Sequence, residues 1–99
     1  MVRHTVVFKL KHASGSQAEL DFIRSAWKLA DIPVVKNYEV LRQISKKNIY
    51  DFCLSMEFTS MEDYQTYNDH PDHVHFVQTL WIPEVTDFME IDFEPYSGA

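Results

Sequence analysis

The sequence predicts an α+β fold in which four antiparallel strands form one sheet and helices cover one of its faces. Three observations predict it. Four separate segments alternate apolar and polar residues with period two, as half-buried strands do. Segment 17–30 carries its apolar residues at helical spacing behind a capping signal, and a second capped stretch lies between Ser60 and Pro83. The chain is 45% hydrophobic and has only two Gly and four Pro in 99 residues, so it has the apolar content of a packed domain.

The first strand is Val2 to Leu10. Val2, His4, Val6, Phe8 and Leu10 share one face; Arg3, Thr5, Val7 and Lys9 share the other. His12 to Ser16 is a loop. Ser16 followed three residues later by Glu19 is a capping-box pattern, in which the two side chains satisfy the free amides that begin a helix. That helix is expected from Gln17 to about Ala30. At about 100° per residue, Leu20, Phe22, Ile23, Ala26, Trp27, Leu29 and Ala30 cover about half its circumference, an arc suited to lying on a sheet. Pro33 ends it, because proline cannot continue the hydrogen-bond ladder.

The second strand is expected over Asn37–Ile44, with Tyr38, Val40 and Arg42 opposite Glu39, Leu41 and Gln43. Ser45 to Asn48 is a polar turn. Tyr50 to Phe58 is the third strand, with Tyr50, Phe52, Leu54, Met56 and Phe58 on one face and Asp51, Cys53, Ser55 and Glu57 on the other. So short a connection predicts an antiparallel hairpin. Ser60 caps a helix from Met61 to about Asn68, with Glu62 and Asp63 near its positive end. Pro71 opens another, which runs to about Leu80 or Trp81 and stops before Pro83. The last strand, about Phe88 to Glu94, sets Met89, Ile91 and Phe93 against Phe88, Glu90 and Asp92. The order β-α-β-β-α(α)-β is the ferredoxin-like split βαβ pattern.

One domain spanning 1–99, with its core at about 2–94, accounts for the length. A single layer of helices covers only one sheet face. The other carries Val7, Leu41, Cys53, Met89, Ile91 and Phe93, so a homodimer through these faces is expected. A net charge of −6 argues against a nucleic-acid partner, which demands clustered Lys and Arg. No apolar run approaches the roughly 18 residues of a membrane span, and the N-terminal segment lacks a signal-peptide pattern, so the expected location is the cytoplasm. Cys53 alone makes neither an internal disulfide nor a Cys-based zinc site.

Histidine is the side chain whose ordinary pKa permits acid and base roles near neutral pH. With His73 set at 0° on its helix, Phe76, Val77 and Leu80 fall within about 60° of it, whereas His75 lies about 200° away on the solvent side. His70, His73 and His75 therefore do not converge on one metal ion. His4, on the strand face of Val6 and Phe8, His73 and Tyr67 are the candidate site residues. Val6, Phe22, Ile23, Trp27, Tyr38, Phe52, Leu54 and Val77 are expected to line an apolar pocket around them. Such a pocket suits general-base chemistry on a carbon acid, with His73 as base and Tyr67 holding an enolate oxygen. A bland alternative makes both histidines satisfied core residues. A connected cavity of roughly 300 Å³ or more reached by both would favour binding or catalysis. His70 is expected to cap its helix or turn, His12 to be a loop residue, and Cys53 to be a small apolar residue on the opposite sheet face.

The opening run Val2 to Lys11, Phe58-Thr-Ser60, Tyr67-Asn-Asp-His-Pro-Asp-His73 with Phe76-Val77, and Ile91-Asp-Phe-Glu94 together resemble the stress-responsive A/B barrel family, the dimeric α/β-barrel domain. The resemblance implies a ferredoxin-like protomer whose sheets pair into a barrel. One branch of the family is similar to plant polyketide cyclases, which close a poly-β-keto thioester without a cofactor. By that likeness the base corresponds to His73, the tyrosine to Tyr67 and the strand-one histidine to His4. Where the cyclases carry a further pocket histidine in a Gly-Tyr-Thr-His stretch, this chain has Ile49-Tyr-Asp-Phe52.

Three functional readings follow. The first is a homodimeric domain that binds a small aromatic or polyketide-like metabolite. The second is a cofactor-free enzyme of the cyclase, lyase or monooxygenase-like kind with His73 as base, and the third is a structural module without a ligand.

Overall fold

The structure, a computed structural model, describes residues 1–97. Its elements are β1 (Val2–Leu10), α1 (Gln17–Trp27), β2 (Lys36–Arg42), β3 (Phe52–Phe58), α2 (Met61–Asp69), α3 (Pro71–Phe76), α4 (Ile82–Glu84) and β4 (Val85–Phe93). A 3₁₀ turn (Lys28–Asp31) extends α1, and a π turn (Val77–Trp81) joins α3 to α4. The strands form one antiparallel sheet in the order β2-β3-β1-β4. This is the ferredoxin-like α+β architecture that the alternation predicts.

Both helix starts behave as their sequences require. Ser16 Oγ accepts the Glu19 backbone N–H, and Ser60 Oγ accepts that of Asp63. Glu19 reaches back to the N–H of Gly15 rather than to that of Ser16. Gly15 holds φ at +77°, a conformation favourable to a residue without Cβ.

The core lies between the sheet and the helices. Phe8, Phe22, Ile32, Met56 and Phe58 are its largest fully buried side chains. Each stabilises the fold by roughly 1.5–3 kcal/mol relative to an exposed position. Phe8 meets Phe22 and Phe52 at ring centroids of 5.8 and 5.6 Å, and Phe58 stacks on Tyr64 at 5.2 Å.

On the opposite face, Leu41, Cys53, Val7 and Met89 stand in one row across all four strands, with Ile91 and Phe93 further along β4. Met89, Ile91 and Phe93 are 47%, 36% and 51% exposed in the protomer. Cys53 is half-buried here, and burial pushes its thiol pKa up.

Several boundaries differ from the sequence reading, each for a physical reason. The α-helix ends at Trp27 and tightens into the 3₁₀ turn, so Trp27 is 47% exposed and meets Tyr38 edge-on at 5.4 Å instead of facing the core. β2 ends at Arg42 and β3 begins at Phe52, because the intervening loop is held by the Gln43 side chain. Its amide donates to the Ser45 and Tyr50 carbonyls and accepts the Ser45 N–H. Tyr50 thus lies outside the strand, its hydroxyl toward Asp87. β4 begins at Val85, three residues earlier than expected, because Val85 pairs with Leu10 beyond an irregularity at Lys9 and Leu10.

The helical path also continues through Pro83. The π turn carries it, with the Ile82 N–H bonding the Val77 carbonyl five residues back.

Candidate functional site

Between β1, β4 and the α3–π segment lies a cavity of about 470 Å³. His4, Val6, Leu54, Tyr67, His73 and Val77 all line it, together with Leu29, Phe76, Trp81, Ile82, Val85, Phe88 and Glu90. Its volume falls in the range of small-molecule pockets.

His4 is 5% exposed. Its Nδ1 lies 2.5 Å from Asp92 Oδ1 and 2.8 Å from the Tyr64 hydroxyl, which itself is 3.2 Å from Asp92 Oδ2. Asp92 is the cross-strand neighbour of His4, so the sheet register delivers the carboxylate. The geometry makes His4 Nδ1–H donate to Asp92 Oδ1 and the Tyr64 hydroxyl donate to Oδ2. The Tyr64 pKa is driven well up, first by burial and then by the neighbouring Asp92.

His73 sits near the start of α3, which Pro71 opens and His70 caps by accepting the Asp72 N–H at 3.1 Å. His73 Nδ1 lies 3.0 Å from the Asn68 carbonyl. A carbonyl can only accept, so Nδ1 carries the hydrogen and Nε2 carries the lone pair. Burial lowers the His73 pKa, the nearby His4 and His70 adding to this, while the Asn68 carbonyl and Glu90 act in the opposite direction. The imidazole is therefore neutral at pH 7. Tyr67 packs on its ring at 4.3 Å. Burial, foremost, and then the neighbouring Tyr38, Tyr64 and Glu90 hold the Tyr67 hydroxyl protonated far above neutral pH.

Among the polar groups of the cavity-lining residues, Nε2 of His4, Nε2 of His73, the hydroxyl of Tyr67 and the carboxylate of Glu90 have no hydrogen-bond partner among the described residues. No buried side-chain N or O among those residues is left unsatisfied, so these groups are reachable by solvent or a ligand from the cavity their residues line. The lone pair of His73, the free Nε2 of His4, one hydroxyl and one carboxylate thus belong to the lining of a largely apolar space.

Five residues named from the sequence as pocket lining lie elsewhere. Phe22 is core, packed between Phe8 and Phe76. Phe52 packs on Phe8 and lies under the Arg42 guanidinium. Ile23 lines a shallow groove with Phe52 and Val40. Tyr38 donates its hydroxyl to the Ala26 carbonyl at 2.5 Å and Trp27 packs beside it. Sharing a face with the cavity residues did not place them beside it, because α1 fills the β2–β3 side and the space remains on the β1–β4 side. Leu80 also lies outside. The π turn widens the helix, so Trp81 faces the cavity instead. His75 is exposed, and His12 is a loop residue, its Nε2 2.5 Å from Glu84 Oε1.

Tyr64, Asp92, Glu90 and Trp81 are site residues that sequence reasoning missed. One signal was available: Met89, Ile91 and Phe93 alternate with Glu90 and Asp92, which sends the two carboxylates to the helix side.

The fold and the site together define a ferredoxin-like domain with a histidine-lined pocket. The chain belongs to the stress-responsive A/B barrel domain family, whose model matches residues 2–95. A crystal structure of a family member with a ferredoxin-like fold from Mesorhizobium loti is 54% identical, with a TM-score of 0.96 over 97% of both chains. A stress-response A/B barrel domain-containing protein of Arabidopsis thaliana is 30% identical over 94% of this chain. The chain spans 36% of that relative's length. A dimeric ferredoxin-like protein of unknown function from Thermobifida fusca is 26% identical, with a TM-score of 0.77 over 93% of this chain and 88% of its own.

Proposed function

We propose that the chain works as a homodimer, joined through the open faces of its sheets, in which each cavity takes a small, mainly apolar aromatic or polyketide-like metabolite. One observation carries the ligand reading: the Nε2 atoms of His4 and His73, the Tyr67 hydroxyl and the Glu90 carboxylate, none with a protein partner among the described residues, belong to residues that line one largely apolar cavity of about 470 Å³. His73 makes the one backbone hydrogen bond that a plain core histidine makes, and the ligand reading rests on its lining the same cavity as His4, Tyr67 and Glu90. The apolar row on the uncovered sheet face, and the dimer reported for the Thermobifida fusca protein, support the pairing. 1-Naphthol, a neutral aromatic, tests the ligand reading. It should shift backbone amide resonances at Val6, Tyr67 and Val77 saturably, and Val77→Phe, which fills the space, should weaken it. Shifts confined to the sheet's open face would refute the cavity as the site.

A second reading rests on the anchored, neutral His73 beside Tyr67. Nε2 takes a proton from a carbon next to a carbonyl, the C–H electron pair moves into the new C=C bond, and the Tyr67 hydroxyl holds the enolate oxygen. Exchange of α-hydrogens of a β-diketone in D₂O, abolished by His73→Ala, is the expected result. Equal exchange by the variant would remove this reading and leave binding intact.

A further inference from the structure

The cavity carries a charge pattern that narrows its ligand, given the small-molecule reading above. Along β4 the residues on the helix side run Phe88, Glu90, Asp92, opposite Phe8, Val6 and His4 of β1. Asp92 is matched by the donors of His4 and Tyr64. Glu90, one rung away, has no hydrogen-bond or ion-pair partner among the described residues, yet it lines the cavity. No Lys or Arg lines it among those residues.

On the side of Phe88 the wall is aromatic. Trp81 meets Phe88 edge-on at 5.5 Å and lies 6.3 Å from Phe76. A free carboxylate next to aromatic faces is the chemistry that holds an alkylammonium group, through charge pairing and cation–π attraction. The neutral His73 agrees: its Nε2 is a lone pair, which accepts from an N–H donor and adds no positive charge that would repel a cation.

We propose that the cavity selects an aromatic amine, its ammonium group on Glu90 and its ring against Trp81 and Phe88, and rejects carboxylate analogues of the same shape. A carboxylate ligand would place its charge beside Glu90 without a countercharge. The order along β4 also separates the two ends of the ligand, with the ring toward Phe88 and any further donor toward His4.

Matched probes test this: 2-phenylethylamine, 3-phenylpropanoate and neutral ethylbenzene, titrated into the full chain by saturation-transfer NMR and calorimetry at pH 7.5. The amine is expected to bind about tenfold more tightly than the carboxylate, the difference between attraction and repulsion beside one partly screened carboxylate. In Glu90→Gln, a near-isosteric change at an exposed position that leaves the fold intact, that ratio should fall toward parity while ethylbenzene binding is unchanged. Equal affinity for the two charged probes, or a ratio that persists in Glu90→Gln, overturns the inference. If ethylbenzene binds without any amine preference, the charge assignment fails alone. If none of the three binds, the small-molecule reading fails with it.

Discussion

Each imidazole of the site has one nitrogen committed to the protein and one to the cavity, and the two commitments are made differently. His4 hands its Nδ1–H to a carboxylate that the sheet register brings alongside, whereas His73 hands its own to the carbonyl of Asn68, just before the helix break. His73 also has a consequence for stability. Burial holds its pKa below the ordinary histidine value near 6.5. The unfolded chain therefore takes up this proton at a higher pH than the fold does. The group makes stability fall as pH drops below about 6.5 and has no effect above it. Urea midpoints at pH 7.5 and 5.5 check this. The acid-induced drop should be smaller in His73→Gln than in the parent chain, and an equal drop would contradict the assignment. His4 was legible from its strand face and His73 from its helical spacing, whereas Tyr67 was named only from its place just before the helix break. Asp92 and Tyr64 were not legible, because their role depends on pairings across 88 and 60 residues that no local pattern reports.

Among the elements, those legible in the sequence are the ones whose signal is local. β1 and β3 follow their alternation, and α1 and α2 start where Ser16 and Ser60 satisfy the first free amides. Replacing Ser16 by Ala should destabilise the chain by about 1 kcal/mol, read by urea unfolding, while the cavity residues keep their chemical shifts. No measurable loss would mean that Glu19 and water supply the cap. Elements set by long-range partners were harder to place. β4 starts early because Leu10 supplies a partner for Val85, and the hairpin loop is long because Gln43 ties it shut. The π turn is the largest departure. Pro83 has no N–H to give, and the chain answers with an Ile82-to-Val77 bond that exchanges Leu80 for Trp81 at the cavity.

For the molecule as a whole, alternation in all four strands leaves an apolar face that one helix layer cannot reach, and the protomer exposes it. If two copies meet there, light scattering at micromolar concentration gives twice the 11.7 kDa chain mass, and Ile91→Glu, on the β4 side of that face, gives a single chain. A parent chain that is already monomeric would remove the pairing. The pocket on the other side is the centre of the account, and its most direct measurement is the imidazole ¹⁵N spectrum at pH 7.5, with and without saturating 1-naphthol. The account predicts that His4 and His73 both carry hydrogen on Nδ1, and that both Nε2 resonances move on addition of the ligand. Nε2–H tautomers, or Nε2 resonances that stay fixed while the ligand is bound, would contradict it.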